Sequence, residues 1–161
     1  LYTDSKVLSP HKREILAQEI QEEHFSSIAW ATVQEIEELN ILQAALLAMS
    51  RALHQLLEAY SWKKEEVHVL VDGNQPIPNW PVTQQTTVVK GDLRAAPISA
   101  ASIVAKVARD QKMCELEDRY PGYGFQKHKG YCTKEHQAAI ARLGPCPEHR
   151  KSFKGVREFL G

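Results

Sequence analysis

The sequence predicts an α/β domain. Three observations carry this expectation. Two short apolar runs, Val67–Val71 (VHVLV) and Thr86–Lys90 (TTVVK), are strand-like, and each is followed at once by Asp-Gly or Gly-Asp. A third β-branched and aromatic run covers Ile28–Val33 (IAWATV). Segments with helical periodicity alternate with these runs. At 161 residues the chain is long enough to bury a core, and a single domain over 1–161 is expected.

The elements follow in order. Ser9 is a capping residue and Pro10 suits a first helical position, so a helix is expected from Pro10 to about Glu23, with Ile15, Leu16 and Ile20 as its apolar stripe. After the Ile28–Val33 strand, a long helix is expected from about Gln34 to Leu57. Leu39, Leu42, Leu46, Met49, Leu53 and Leu56 recur there at spacings of three and four. This stripe suits a helix lying on a sheet better than a coiled coil, and His54 beside it reads as surface. Lys63–Glu66 is a charged connector, and the apolar Val67–Val71 run suits a strand covered on both faces. Asn74–Pro81, with three prolines, is a loop. Pro97 opens an Ala-rich helix reaching about Leu116. Lys106 and Asp110, four apart on it, read as a surface ion pair beside Arg109. Pro121–Gly130 reads as a loop. Thr133 caps a helix over Lys134–Leu143, which Gly144-Pro145 closes.

Composition narrows the class. Hydrophobic residues make up 43% and charged residues 25%, which is ordinary for a globular protein. No stretch approaches the roughly 18 apolar residues of a membrane span. The opening residues do not have the pattern of a signal peptide. Cys114, Cys132 and Cys146 are odd in number and lack metal or redox spacing, so free thiols in a reducing cytoplasm are expected. The zero net charge hides an asymmetry. Residues 1–93 hold 7 Lys and Arg against 13 Asp and Glu, whereas residues 94–161 hold 13 against 7. A basic half suits a phosphate backbone, and chance unevenness accounts for it equally well.

Two groups of residues are candidates for chemistry. Asp72 and Asp92 each follow a predicted strand end. If the strands are parallel neighbours, both carboxylates sit at one rim, where α/β sheets bind ligands. Two hard oxygen donors begin a Mg²⁺ or Mn²⁺ site for phosphodiester hydrolysis. The alternative is that both Asp residues simply make turns. The second group interleaves Tyr120, Tyr123, Phe125 and Tyr131 with Lys127, His128 and Lys129. Aromatic rings can stack on sugars or bases while Lys and His hold phosphates. The alternative is an ordinary loop with aromatic anchors.

Taken together, DSKVLSPHKRE, ELNILQAALLAM, VLVDGN, VVKGD, ISAASIVAKVARD, YPGYGFQKHKGY, TKEH and HRKSF resemble bacterial ribonuclease HII, in the same order along essentially the whole chain. The resemblance implies a ribonuclease H-like mixed sheet flanked by helices, with a helical C-terminal region. It implies an endonuclease that cleaves RNA in RNA–DNA hybrids and incises 5′ of ribonucleotides embedded in duplex DNA. Its metal would be Mn²⁺ or Mg²⁺. It also implies a cytoplasmic enzyme of DNA replication and repair, expected as a monomer. By motif, Asp72 and Asp92 match two of four metal-binding carboxylates. Tyr131 matches the tyrosine that packs on a sugar beside the ribonucleotide. Ser5 and Lys6 match residues near the nucleic-acid backbone, although Val7 stands where a second Lys is common.

The family's first strand carries D-E-A-G-R-G, with two further ligands and the 2′-hydroxyl sensor. That motif occurs nowhere in this sequence. The expectation is therefore part of a longer enzyme, without the central strand and its hairpin partner and inactive alone. The competing expectation is a non-catalytic nucleic-acid-binding remnant.

Overall fold

The structure is a computed structural model that describes residues 7–159. Ser5 and Lys6 lie outside the described residues. The chain divides into two compact units. One holds residues up to Trp30 with Ala45–Val107, and the other holds Ala31–Ala44 with residues from Ala108 on.

In the first unit, helix α1 (Pro10–Glu23) begins as the sequence dictates. The Ser9 hydroxyl accepts the Lys12 N–H at 3.3 Å and Pro10 takes the first turn. Ala17 and Ile20 bury against Leu8, Ala100, Ile103 and Val104. The expected strand over Ile28–Val33 does not form among the described residues. Side chains satisfy its backbone instead. Arg51 Nη1 donates to the Trp30 carbonyl at 2.8 Å. In the second unit, which takes over at Ala31, Thr32 and Glu35 close a capping box that turns Val33 into a helix.

The expected single helix from Gln34 to Leu57 is two helices, α2 (Val33–Leu39) and α3 (Ile41–Tyr60). Asn40 separates them at φ 73°. Its Oδ1 accepts the N–H groups of Leu42 and Gln43 at 3.0 and 3.1 Å, so it restarts the chain as a cap. The leucine stripe is therefore only partly buried. Leu46 is 4% exposed, whereas Leu42 is 49% exposed. His54 is on the surface, as expected.

Strands β1 (Val69–Asp72) and β2 (Gln85–Val88) are parallel, with Asp72 opposite Val88. Val71 is buried among Leu46, Ile77 and Trp80, which stabilises the pair by about 1.5–3 kcal/mol. Leu70, on the other face, is 39% exposed, so that face is not fully covered among the described residues. The proline-rich loop between the strands is fixed by buried Gln85. Its Oε1 accepts the Ile77 N–H at 2.7 Å, and its Nε2 donates to the Ile77 and Trp80 carbonyls at 3.2 and 2.9 Å. Beyond β2 come a short helix α4 (Gly91–Arg94) and the long helix α5 (Ala96–Arg119).

The second unit includes the last part of α5, a one-turn helix α6 (Phe125–His128) inside the expected loop, and α7 (Lys134–Leu143). Thr133 caps α7 and Gly144, at φ 75°, ends it, as the sequence predicts. Its core gathers Leu116, Tyr123, Phe125, Ala139, Ile140, Cys146 and Val156.

Gln85→Ala removes all three bonds and takes the partner from the buried Ile77 N–H and Trp80 carbonyl, while the Ile77 carbonyl keeps the Trp80 N–H at 3.4 Å. It should lower stability by about 2–4 kcal/mol, read from the urea midpoint. An unchanged midpoint would mean that Gln85 does not hold the loop.

Candidate functional site

Asp72 is the last residue of β1, and its carboxylate is exposed. Its Oδ1 accepts the Gly91 N–H at 2.8 Å, directly beyond the carboxyl end of β2. Asp92 is the next residue, in the first turn of α4 and half-buried. Parallel pairing therefore brings both Asp residues to the same sheet end. Asp92 does not extend the strand itself. Lys90 is left-handed at φ 55°, which breaks the strand and starts α4. The Asp92 carbonyl accepts the Ser99 hydroxyl at 2.6 Å, tying α4 to α5. A Cβ at Gly91 would lie 2.5 Å from Ile98 Cδ1 and 3.1 Å from Asp72 Oδ1, so a side chain there would force Ile98 to shift.

This donor set suits a hard divalent cation in kind. In number it supplies two carboxylates. Among the described residues, no group of three His, Cys, Asp or Glu converges as a metal cluster.

In the second unit, Tyr131 is 61% exposed. The Arg109 guanidinium lies 5.9 Å from its ring centroid, and Arg109 Nη2 donates to the Lys129 carbonyl at 3.1 Å. Lys129 and Gly130 are both left-handed, at φ 52° and 77°, and so make a sharp turn before Tyr131. Lys129 Nζ donates to the Asp110 carbonyl at 3.4 Å. Lys127 pairs with Glu135 at 2.9 Å, fully on the surface.

His128 is buried rather than presented to solvent. Its Nε2 bonds the Tyr123 carbonyl at 2.8 Å and its Nδ1 accepts the Gly130 N–H at 3.2 Å, so both nitrogens serve the loop. Sequence reasoning missed its two neighbours. His136 stacks on His128 with centroids 4.1 Å apart and bonds the Tyr131 carbonyl through Nδ1 at 2.9 Å. His149 contacts His136, Nε2 to Nε2, at 3.0 Å, and its Nδ1 accepts the Cys146 N–H. The available signal was their place in the TKEH and HRKSF segments. Glu117 was missed too. Its two oxygens accept the N–H groups of Gly122 and Phe125 at 3.0 and 2.6 Å.

Burial disfavours charge on these rings. It is the main cause that takes His149 down to about 4, with repulsion from His136 adding to it. Burial likewise lowers His136, against the opposing effect of its bond to the Tyr131 carbonyl.

The sequence model of the family described as Ribonuclease HII matches residues 2–156. The chain is 49% identical over 160 residues to the Ribonuclease HII of Natranaerobius thermophilus, covering 98% of this chain and 76% of that protein. It is 52% identical over 162 residues to the Ribonuclease HII of Vibrio parahaemolyticus, covering 98% of this chain and 72% of that protein. The Ribonuclease HII of a Marinomonas strain is also 52% identical, over 158 residues and 76% of its length.

The histidine shifts fix the sign of a pH effect. An unfolded His149 binds a proton near its ordinary 6.5, whereas the folded one resists until about 4. The unfolded state thus holds more protons between these values. The contribution of His149 to stability is complete above pH 6.5 and is lost as pH falls toward 4, by on the order of 3 kcal/mol at most. Urea midpoints should fall between pH 7 and pH 5, and His149→Gln should reduce that slope. A flat midpoint would contradict a buried neutral His149.

Proposed function

This chain belongs to the ribonuclease HII family, and we propose that the protein is an endonuclease that cleaves RNA paired to DNA and incises 5′ of ribonucleotides embedded in duplex DNA. The observation that carries this reading is the carboxyl end of the parallel pair. There the Asp72 carboxylate bonds the turn that bears Asp92. The ribonuclease H-like α/β fold supports it.

In this reading Asp72 and Asp92 hold Mn²⁺ or Mg²⁺ together with further ligands. The metal, when bound, neutralises charge on the scissile phosphate and lowers the pKa of water. The protein supplies placement. The Gly91 N–H fixes one Asp72 oxygen and leaves the other directed by that bond, so the carboxylate is ordered before any ligand arrives. Tyr131 offers an aromatic face to a sugar at the RNA–DNA junction. Lys129 adds positive charge beside it for the backbone. His128 acts from below by shaping the turn that carries both. By the family resemblance, Ser5 and Lys6 are proposed to lie near the nucleic-acid backbone. The protein is read as a cytoplasmic monomer acting in DNA replication and repair.

A second reading, nucleic-acid binding without hydrolysis, is favoured by one observation: no three-ligand metal cluster forms among the described residues. Two carboxylates are not expected to support turnover by themselves. Incision of a duplex with one embedded ribonucleotide, assayed with Mn²⁺ or Mg²⁺, separates the two readings. Binding with no cleavage by the full-length protein would favour the second.

Asp72→Asn keeps an oxygen for the Gly91 N–H and removes the charge. In the full-length protein it should lower incision by on the order of a hundredfold or more, with duplex binding largely kept. Retained incision would remove Asp72 from the metal site. Tyr131→Ala should impair cleavage at the RNA–DNA junction more than it impairs duplex binding. Equal losses on all substrates would make Tyr131 a packing residue.

A further inference from the structure

We propose that His149 is a positioning residue for Tyr131: its Nε2–H, donated to His136 Nε2, fixes His136 in the form whose Nδ1–H holds the Tyr131 carbonyl. The inference rests on the reading of Tyr131 as the side chain that meets the duplex.

The tautomers follow from the partners. A carbonyl oxygen only accepts, so His136 Nδ1, 2.9 Å from the Tyr131 oxygen, carries a hydrogen. The Cys146 N–H donates to His149 Nδ1 at 3.0 Å, so that nitrogen is the acceptor and a neutral His149 carries its hydrogen on Nε2. These two assignments are made at opposite ends of the pair. They agree at the contact between them, where His149 Nε2 donates to His136 Nε2 at 3.0 Å. Flipping either tautomer would set two hydrogens or two lone pairs against each other. Both rings are buried, at 2% and 8% exposure, so water cannot repair such a mismatch. The lowered pKa of each ring is consistent with neutral forms at pH 7.

The same logic applies to His128. Its Nε2–H donates to the Tyr123 carbonyl, its Nδ1 accepts the Gly130 N–H, and its ring stacks on His136. The Tyr131 N–H donates to the His128 carbonyl at 2.9 Å. The Tyr131 N–H is thus held by this cluster, and its carbonyl is shared between His136 and the Thr133 N–H at 2.8 Å, while the residue stands exposed. The placement of the ring is therefore set through the backbone, and His149 is the last link in the chain that sets it. Such placement matters because small displacements of a contact at the reacting site reduce rate.

Two experiments test this. Long-range ¹H–¹⁵N spectra of the full-length protein at pH 7 should show Nδ1–H on His136 and Nε2–H on His128 and His149. The opposite tautomer on His136 or His149 overturns the proposal, and this readout needs no variant to fold. In the second experiment, His149→Gln keeps a donor at the ε position and His149→Leu removes it. Incision at an embedded ribonucleotide should be about tenfold slower in the Leu variant than in the Gln variant, with all-DNA duplex binding equal. Equal rates in the two variants overturn the positioning role. Tyr131→Ala, run alongside, separates the premises. If it leaves incision unchanged, the reading of Tyr131 fails. If it slows incision while Leu and Gln match, the role of His149 fails alone.

Discussion

Buried peptide groups must find partners, and the two short strands pair few of them. The long connections of this chain are instead satisfied by side chains. Gln85 holds the proline loop through three bonds. Glu117 gathers two N–H groups ahead of α6. Tyr123 donates its hydroxyl to the Gly144 carbonyl at 2.6 Å, and Arg142 donates to the Gly122 carbonyl at 3.0 Å. His128, His136 and His149 do the same work around Tyr131. Where these bonds are buried, as at Gln85 and His128, an apolar residue would leave a buried polar group unpaired, at roughly 1–3 kcal/mol each.

This constraint reaches the candidate site. The Asp72 carboxylate has two tasks that do not conflict. One oxygen closes the end of the parallel pair by accepting the Gly91 N–H, and the residue stays exposed for a ligand. Gly91 is what permits it, because a side chain there would strike Ile98 and crowd Asp72 Oδ1. Thus the G in VVKGD is a packing requirement, and the D beside it is the residue presented by that packing.

The parts legible in the sequence were those governed by local rules. Ser9-Pro10 and Thr133 start helices where expected, and Gly144 stops one. The Asp residues after apolar runs located the sheet end correctly. The parts that were not legible depend on distant partners. Ile28–Val33 has strand composition, but Arg51 and the Thr32–Glu35 box capture its ends. Asn40 interrupts a regular leucine pattern because its side chain caps the next helix, and the pattern itself gives no sign of this. His136 and His149 are 13 residues apart, with no periodicity joining them, so their contact needed the fold. His128 looked like a phosphate ligand because its neighbours are basic and aromatic, a composition that a self-bonded loop shares.

The partners of the loop's basic residues bear on what its surface can attract. Arg109 and Lys129 donate to the carbonyls of Lys129 and Asp110, and Arg142 to that of Gly122. A carbonyl orients a cation without neutralising it, so the positive field survives outside the loop. A carboxylate partner would have cancelled it. The Lys127–Glu135 ion pair lies at the surface and is therefore weakly held and readily screened. An approaching phosphate would therefore meet cations already oriented by the backbone. That arrangement suits the counterion-release attraction of a nucleic-acid backbone, and it places that charge around the exposed ring of Tyr131 without requiring His128 to reach the surface.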